Sequence, residues 1–386
     1  QSWFMLYGFA VRSQWDLDPD FLTVNHGSFG ATPRRVRDAQ RAWQDRMERQ
    51  PSRFMSQDLG RELRSAADAL AEFIGAKGCD LVFVDNATTG CSAVLRSLRL
   101  GQDDEVLVLS HVYNAIRNAV SHVVAQTGAT LTEAPIRLPD PAEADILAAV
   151  AARLTPRTRI AVIDHITSAS ALVLPAAAIV ALCHQHGVPV LIDGAHTPGQ
   201  IDLDLTALGA DWYVGNCHKW LCAPKGCAFL HTTKPDGLHP GTISHGYGQS
   251  FLAEFDWTGT TDPSRFLAVT EAIVFHQHLG GAALRARNIA MAAEATSLLV
   301  QRLNTRPGAS GAMAAAMGTV RLPVENPSPK HALRIRDRLM AAGTDAPVHA
   351  VDGALWLRLS AFAYNELNDY ARLAALVAAT IREDAA

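Results

Sequence analysis

The feature of this sequence that most constrains its fold is an alternation of short apolar runs with amphipathic stretches between about residues 80 and 231. Six of the apolar runs are predicted to be strands, at 81–84, 105–109, 159–163, 188–192, 211–215 and 227–230. Helix-like segments lie between them, near 88–99, 113–126, 141–154 and 175–186. This alternation is typical of a mostly parallel sheet with helices on both faces, and such sheets bind ligands beyond the carboxyl ends of their strands.

The flanking residues predict further elements, because 386 residues are too many for one small core. Two helices are expected before the sheet, at 33–50 and 57–74, and a long helical stretch is expected after it, at 264–303. A smaller α/β unit follows, with strands near 318–322 and 354–359 and helices near 328–342 and 366–382. We therefore divide the chain into an N-terminal arm (1–20), a large domain (21–265) and a linking helix with a small C-terminal domain (266–386).

The composition argues against several classes of protein. The formal net charge is -4 and no basic run is interleaved with aromatic residues, so no nucleic-acid partner is expected. No stretch of about 18 apolar residues is present, so no membrane span is expected. The six cysteines show no CxxC spacing and are interpreted as reduced thiols of a cytoplasmic protein. The His-Gln-His triplets at 184–186 and 276–278 lie in helix-like stretches where i and i+2 face apart, so no metal site is expected.

Two charged residues follow consecutive predicted strands. Asp193 ends the apolar run VPVLI and precedes His196 by three positions. A carboxylate there is costly to bury unless it is paired, for example with the protonated pyridine nitrogen of a cofactor, a helix N-terminus or a salt-bridge partner. Lys219 lies 26 residues later, among Cys217, Trp220 and other apolar residues. A lysine among apolar side chains either extends its amine to solvent or is desolvated for Schiff-base chemistry.

Five segments in order carry a resemblance to a known family: LTVNHGSFGATP at 22–33, DHITSASALVLP at 164–175, then DGAH, HKW and APKG. Together they resemble the class V aminotransferase superfamily of fold-type I enzymes, and within it the isopenicillin N epimerase-like branch, over about residues 20–365. The resemblance implies a large domain with a mostly parallel seven-stranded sheet and a smaller α/β domain. It further implies pyridoxal 5′-phosphate as the cofactor, a small amino-acid substrate, and a homodimer with the active site shared across the interface.

The resemblance also implies roles for residues around the cofactor ring. Lys219 corresponds to the Schiff-base lysine and Asp193 to the partner of the pyridine nitrogen. His196 falls near the phenolic oxygen, and Ser168 stands where the family often has an asparagine that contacts the ring. Tyr113 falls where an aromatic side chain stacks on the pyridine face, although a core aromatic at a helix start is an alternative interpretation.

The cofactor phosphate is expected at the start of the helix that follows 81–84. Thr88 and Thr89 lie there, where free N–H groups attract an anion, and ordinary helix capping is compatible with this role. By resemblance, Asn216 and His218 lie near the same phosphate, and Thr260 reaches the phosphate of the neighbouring subunit.

Four residues are implied at the substrate. Arg358, in LWLRLSAFAYNE, matches the arginine that clamps the substrate carboxylate, with a structural salt bridge as the alternative. Asn25, His26 and Gly27 are placed near the substrate by resemblance alone.

Three reactions at the α-carbon of an amino acid or small peptide fit this pattern, in the order epimerisation or racemisation, β-elimination including C–S cleavage, and transamination. Lys219 is the expected base on one face, and the second acid of an epimerase is left open between His196, Tyr113 and water. No cysteine follows Cys227, which argues against a desulfurase with a mobile cysteine near Arg358. A protein that binds the cofactor without catalysis would not need Asp193, His196, Lys219 and Arg358 together.

Overall fold

The computed structural model describes residues 7–386, so the first six residues of the predicted arm lie outside it. The described residues contain twelve strands, numbered in chain order. They are β1 (Leu22–Thr23), β2 (Leu81–Val84), β3 (Glu105–Leu109), β4 (Thr130–Ala134), β5 (Thr158–Asp164), β6 (Val190–Gly194), β7 (Trp212–Asn216), β8 (Ala228–Thr232), β9 (Met317–Arg321), β10 (Thr344–Asp345), β11 (Val348–Val351) and β12 (Ala354–Ser360).

The large domain is built on a seven-stranded sheet in the order β2-β8-β7-β6-β5-β3-β4. Its strands are parallel except for β8, which runs antiparallel to both β2 and β7. The predicted mostly parallel seven-stranded sheet is therefore confirmed. The six apolar runs correspond to six of its strands, and the seventh, β4, is a partly exposed edge strand whose sequence TLTEA has no continuous apolar run.

The inner strands are buried on both faces, which is why they are apolar throughout. In β3, Val106 and Val108 pack into one hydrophobic core, and Leu107 and Leu109 pack into the core on the opposite face. Because successive strand residues point to opposite faces, such a strand has no polar side.

The helices cover both faces of the sheet and one side of the small domain. They are α1 (His26–Phe29), α2 (Arg34–Arg49), α3 (Pro51–Arg53), α4 (Leu59–Ile74), α5 (Ala87–Ser97), α6 (Asn114–Thr127), α7 (Glu143–Arg153), α8 (Ala176–Gln185), α9 (Leu205–Leu208), α10 (Phe251–Asp256), α11 (Ser264–Leu267), α12 (Val269–His278), α13 (Ala282–Leu303), α14 (Pro329–Ala341) and α15 (Leu367–Ala385). The single helical stretch predicted at 264–303 forms three helices, α11, α12 and α13. Gly280 and Gly281 adopt positive φ and interrupt the helix between α12 and α13.

The small domain contains an antiparallel sheet in the order β11-β12-β9, packed against α13, α14 and α15. The short strand β1 pairs in parallel with β10, so the chain that follows β1 starts beside the small domain and then crosses to the large one. Within residues 7–386 no helix combines the length and the hydropathy that a bilayer span requires.

Candidate active site

A cavity of about 470 Å³ opens at the carboxyl ends of the central strands, where the parallel sheet was expected to bind its ligand. Every residue predicted to bind the cofactor lines this cavity, apart from Thr260. They are Thr88, Thr89, Tyr113, Ser168, Asp193, His196, Asn216, His218 and Lys219. The cavity thus brings together side chains that follow β2, β3, β5, β6 and β7 in the chain.

Lys219 supplies the amine of the site. Its Nζ lies 3.5 Å from Nε2 of His196, and no carboxylate forms an ion pair with it among the described residues. Burial, and to a smaller extent the charge of Arg358, lowers its pKa from 10.5 to about 7, while Asp193 opposes that change. At neutral pH a large fraction of the amine is therefore unprotonated and nucleophilic.

The backbone of Lys219 is held by the segment that follows β1. Nε2 of His26 lies 2.9 Å from the Lys219 carbonyl oxygen, and Nδ1 of His26 lies 2.7 Å from the hydroxyl of Tyr364. Burial lowers the pKa of His26 to about 3, so the ring is neutral and donates from one nitrogen only. Gly30 has φ +66°, and a Cβ there would lie 2.2 Å from the carbonyl oxygen of His218. The backbones can approach this closely because residue 30 is glycine.

Two carboxyl groups lie side by side at the ends of neighbouring strands. Asp164 on β5 is in register with Asp193 on β6, and both are buried and line the cavity. Oδ1 of Asp193 accepts a hydrogen bond of 3.0 Å from the N–H of Ala195, and Asp193 has no cationic hydrogen-bond partner among the described residues. Burial raises the pKa of Asp193, partly offset by the Ala195 N–H and by Lys219. A buried carboxyl group without a cation is suited to a positively charged ring nitrogen.

His196 is a neutral imidazole beside the amine. Burial, reinforced by the positive charges of Lys219 and Arg358, lowers its pKa well below the usual range. Nδ1 of His196 is buried and has no hydrogen-bond partner, so it remains available to a ligand.

The N-terminus of α5 forms the other end of the cavity. Asn216 Oδ1 accepts a hydrogen bond of 2.8 Å from the N–H of Ala87, and Asn86 Oδ1 accepts one of 2.8 Å from the N–H of Thr89. Asn216 and Asn86 thus fix the first turn of the helix, with Thr88 and the half-exposed Tyr113 on the cavity wall. The arrangement suits a phosphate at this helix end.

His218 and Thr260 occupy different environments. His218 lines the cavity, with Nδ1 3.1 Å from the carbonyl oxygen of Cys227. Thr260 is exposed in the loop between α10 and α11 and does not line the cavity of its own chain. The predicted contact of Thr260 with a neighbouring subunit stays a prediction.

Arg358 on β12 is buried without an ion pair among the described residues. Nη1 donates to the carbonyl oxygen of Ser168 (2.9 Å), and Nη2 donates to Ser28 Oγ (2.8 Å) and Asn25 Oδ1 (3.1 Å). Within residues 7–386, Nε has no hydrogen-bond partner. Burial lowers the pKa of Arg358 to about 10, so the guanidinium remains charged at neutral pH. Its hydrogen bonds go to neutral acceptors, and two of the acceptor residues, Ser28 and Ser168, line the cavity, whereas Arg358 does not.

The other residues of the predicted substrate loop support Arg358 and Lys219. Asn25 bridges Arg358 to Asp345 through a hydrogen bond of 2.7 Å from Nδ2. The N–H of Gly27 donates to Ser360 Oγ (3.0 Å), and a Cβ at position 27 would lie 2.5 Å from the sulfur of Met317. Asn25, His26 and Gly27 do not line the cavity, so any contact with substrate stays a prediction.

Asp164, Ser28 and Phe29 line the cavity and were not predicted from the sequence. The sequence offered a signal for Asp164, since it ends an apolar strand just as Asp193 does. Ser28 and Phe29 follow directly after the three residues that were named, but nothing in the local pattern shows which side chains of a short helical turn face the cavity.

The polar groups left without partners in and around the cavity match pyridoxal 5′-phosphate. Asp193 would face the ring nitrogen, His196 Nδ1 or Nε2 the phenolic oxygen, and the α5 N-terminus the phosphate, with Lys219 next to the aldehyde carbon.

Comparisons with known proteins agree with pyridoxal 5′-phosphate as the cofactor. The family model described as "Aminotransferase class-V" matches residues 31–337. A putative L-cysteine desulfhydrase 1 of Oryza sativa subsp. japonica is 34% identical, over 91% of this chain and 81% of the relative. An isopenicillin N epimerase of Streptomyces clavuligerus is 32% identical, over 94% of this chain and 96% of the relative. A solved lysine-to-alanine mutant of C-DES, with glycine covalently linked to its PLP cofactor, shares the fold with a TM-score of 0.82 at 24% identity, over 95% of this chain and 98% of that one.

The family model covers most of the chain, and the two relatives cover nearly all of it. The chain therefore belongs to the class V aminotransferase family, which confirms the resemblance carried by its motifs and, with it, the expected enzyme and pyridoxal 5′-phosphate cofactor.

Proposed function

We propose that this enzyme catalyses β-elimination from a cysteine-type amino acid, cleaving the C–S bond and releasing a thiol or sulfide. The observation that carries the proposal is that the cavity holds one amine base, Lys219, and that Nε2 of the His196 imidazole lies next to it, 3.5 Å from Nζ. Elimination needs one proton carrier at the α-carbon, whereas epimerisation through two groups needs a second on the opposite face. The order of reactions expected from the sequence, with epimerisation first, is therefore reversed here.

Each polar group has one task in this proposal. Bound pyridoxal 5′-phosphate supplies an electron sink that stabilises negative charge at the substrate α-carbon. Lys219 removes the α-proton as a neutral amine and returns it, as an ammonium, to the departing sulfur. The Cα–H and Cβ–S bonds break and a carbon–carbon double bond forms, and water then releases pyruvate and ammonia from the product.

Arg358 is proposed to bind the substrate carboxylate. A buried guanidinium with only neutral acceptors has lost its hydration without gaining a counterion, and a substrate carboxylate supplies that counterion. Ser28 and Ser168 line the cavity and accept hydrogen bonds from the guanidinium, so a bound carboxylate would replace one of these hydrogen bonds.

Epimerisation is the second candidate. Tyr113 lines the same cavity, and its hydroxyl is a proton carrier distinct from Lys219 and His196. The 32% identity to an isopenicillin N epimerase also favours it, as the 34% identity to a putative L-cysteine desulfhydrase favours elimination. Nothing comparable favours transamination.

The two candidates are separated by incubating the holoenzyme with L-cysteine in deuterated water. Elimination predicts sulfide, pyruvate and ammonia in equal amounts, abolished in Lys219→Ala and reduced less than about tenfold in Tyr113→Phe, which keeps the ring and removes only the hydroxyl. Deuterium at the α-carbon with loss of chirality and no sulfide, from cysteine or any of a panel of amino acids, would replace elimination by epimerisation. In that case Tyr113→Phe should slow the exchange of chirality by about 10²-fold or more.

The shared active site and the cytoplasmic location stay predictions. Thr260 provides the test of the first, because Thr260→Ala should weaken cofactor binding only if it reaches a neighbouring subunit. Mixing Thr260→Ala with Lys219→Ala subunits should then restore activity in the hybrid sites that keep both residues.

A further inference from the structure

We propose that Asp164 is a positioning residue of the cofactor site, present as a neutral carboxylic acid that leaves the neighbouring Asp193 as the anion of the pair. The proposal rests on the proposed cofactor site and is independent of which reaction the enzyme catalyses.

The placement of Asp164 comes from the sheet register. Residues 164 and 193 are direct partners across the parallel strands β5 and β6, whose backbones are about 4.8 Å apart. Both side chains line the same cavity and are nearly fully buried. Two ionised carboxylates at this spacing in a buried site repel each other strongly, so one of them holds a proton.

The contacts show which of the two holds it. Asp193 accepts a hydrogen bond from the N–H of Ala195 and lies close enough to Lys219 to be stabilised by its charge. For Asp164, among the described residues, Oδ1 is buried without any hydrogen-bond partner and no cation pairs with the carboxyl group.

The groups that face Asp164 agree with this distribution of charge. The thiol of Cys91 on α5 lies near both carboxyl groups, and burial raises the pKa of this thiol well above its usual value, so the thiol stays neutral and adds no charge beside them. The pKa of Asp164 is itself raised well above the usual range by burial and by Asp193, although N–H groups of Tyr113 and of Asp164 itself oppose this.

The positioning role of Asp164 acts through Asp193. A neutral acid at position 164 adds no second negative charge at the carboxyl ends of β5 and β6, so Asp193 is the anion of the pair that can face a cofactor nitrogen.

The protonation state is tested by infrared difference spectroscopy of the apoprotein at pH 7, wild type against Asp164→Asn. We expect a carbonyl band of a protonated carboxylic acid in the wild type that is missing in Asp164→Asn and retained in the matched control Asp193→Asn. Ordinary aspartic acids, with a pKa of about 3.9, contribute no such band at this pH. A wild-type spectrum without the band, or a band lost in Asp193→Asn and kept in Asp164→Asn, would overturn the proposal.

Cofactor affinity provides a second measurement, by titrating folded apoprotein variants with pyridoxal 5′-phosphate. Asp164→Asn keeps a neutral polar side chain of the same size and should bind within about threefold of wild type. Asp193→Asn removes a charged partner and should weaken binding by about 10²-fold. If Asp164→Asn were as harmful as Asp193→Asn, Asp164 would be an anion and the proposal wrong. Neither measurement involves turnover, so a failed elimination assay would leave this result unaffected.

Discussion

The titration of Lys219 is the most direct test of how this fold prepares its amine. With a pKa of about 7, half of the amine is unprotonated at pH 7. An ordinary lysine, with a pKa of about 10.4, is unprotonated in roughly one molecule in 2,500 at that pH, so the site raises the reactive fraction about 10³-fold.

The structure predicts the direction in which two neighbours shift this titration. Arg358 lowers the pKa of Lys219, so Arg358→Met should raise it. Asp193 raises that pKa, so Asp193→Asn should lower it. Burial is the largest cause, and therefore the pKa of Lys219 should stay well below the ordinary value in both variants.

The assay is brief reductive methylation of the apoprotein across pH, with the label quantified by peptide mass spectrometry. The peptide that contains Lys219 should show a midpoint near pH 7, and the exposed Lys77 and Lys330 serve as references in the same digest. A midpoint above about 9, close to that of an ordinary lysine, would refute desolvation as the cause of activation. Shifts of the same sign in Arg358→Met and Asp193→Asn would refute the assignment of the two charges.

Three further predictions follow from the same contacts. Lys219→Met should stabilise the apoprotein by roughly 4 kcal/mol at pH 7 in urea unfolding. Because the unfolded state binds the extra proton between the native pKa of about 7 and the unfolded value of 10.5, wild-type stability rises with pH across that window and the gain should vanish near its upper end. Gly30→Ala should lower Tm and cofactor affinity together, because the added Cβ would clash with the His218 carbonyl oxygen. The control Gly60→Ala adds a Cβ with no described atom within 4 Å, so it should raise Tm slightly and leave cofactor affinity unchanged. Arg358→Met should raise KM for the amino acid at least tenfold with little change in cofactor affinity, and equal loss of both in a titration would show that Arg358 is structural.

The sequence predicted the sheet and much of the site because the same physical pattern marks both. Strands buried on both faces are continuous apolar runs, so a charged residue at the end of such a run is conspicuous, as Asp193 is. The edge strand β4 was missed because its partly exposed residues carry no such run. Asp164 carried the same signal as Asp193 but needed the strand register to show that the two meet.

Contacts between residues distant in sequence could not be predicted. His26 reaches the carbonyl of Lys219 across 193 positions, and Asn25 reaches Arg358 across 333. Local periodicity contains no information about such pairs, because they depend on how β1 and the segment after it cross between the two sheets.

This crossing explains why residues 25–30 matter although only Ser28 and Phe29 line the cavity. Asn25 and Ser28 hold the guanidinium of Arg358, while His26 and Gly30 pack against the backbone of Lys219. One short segment therefore fixes both the amine proposed to remove the α-proton and the cation proposed to bind the substrate carboxylate. Since the carboxylate and the α-proton are attached to the same carbon of an α-amino acid, a rigid connection between their two partners favours such substrates over those with a more distant carboxylate.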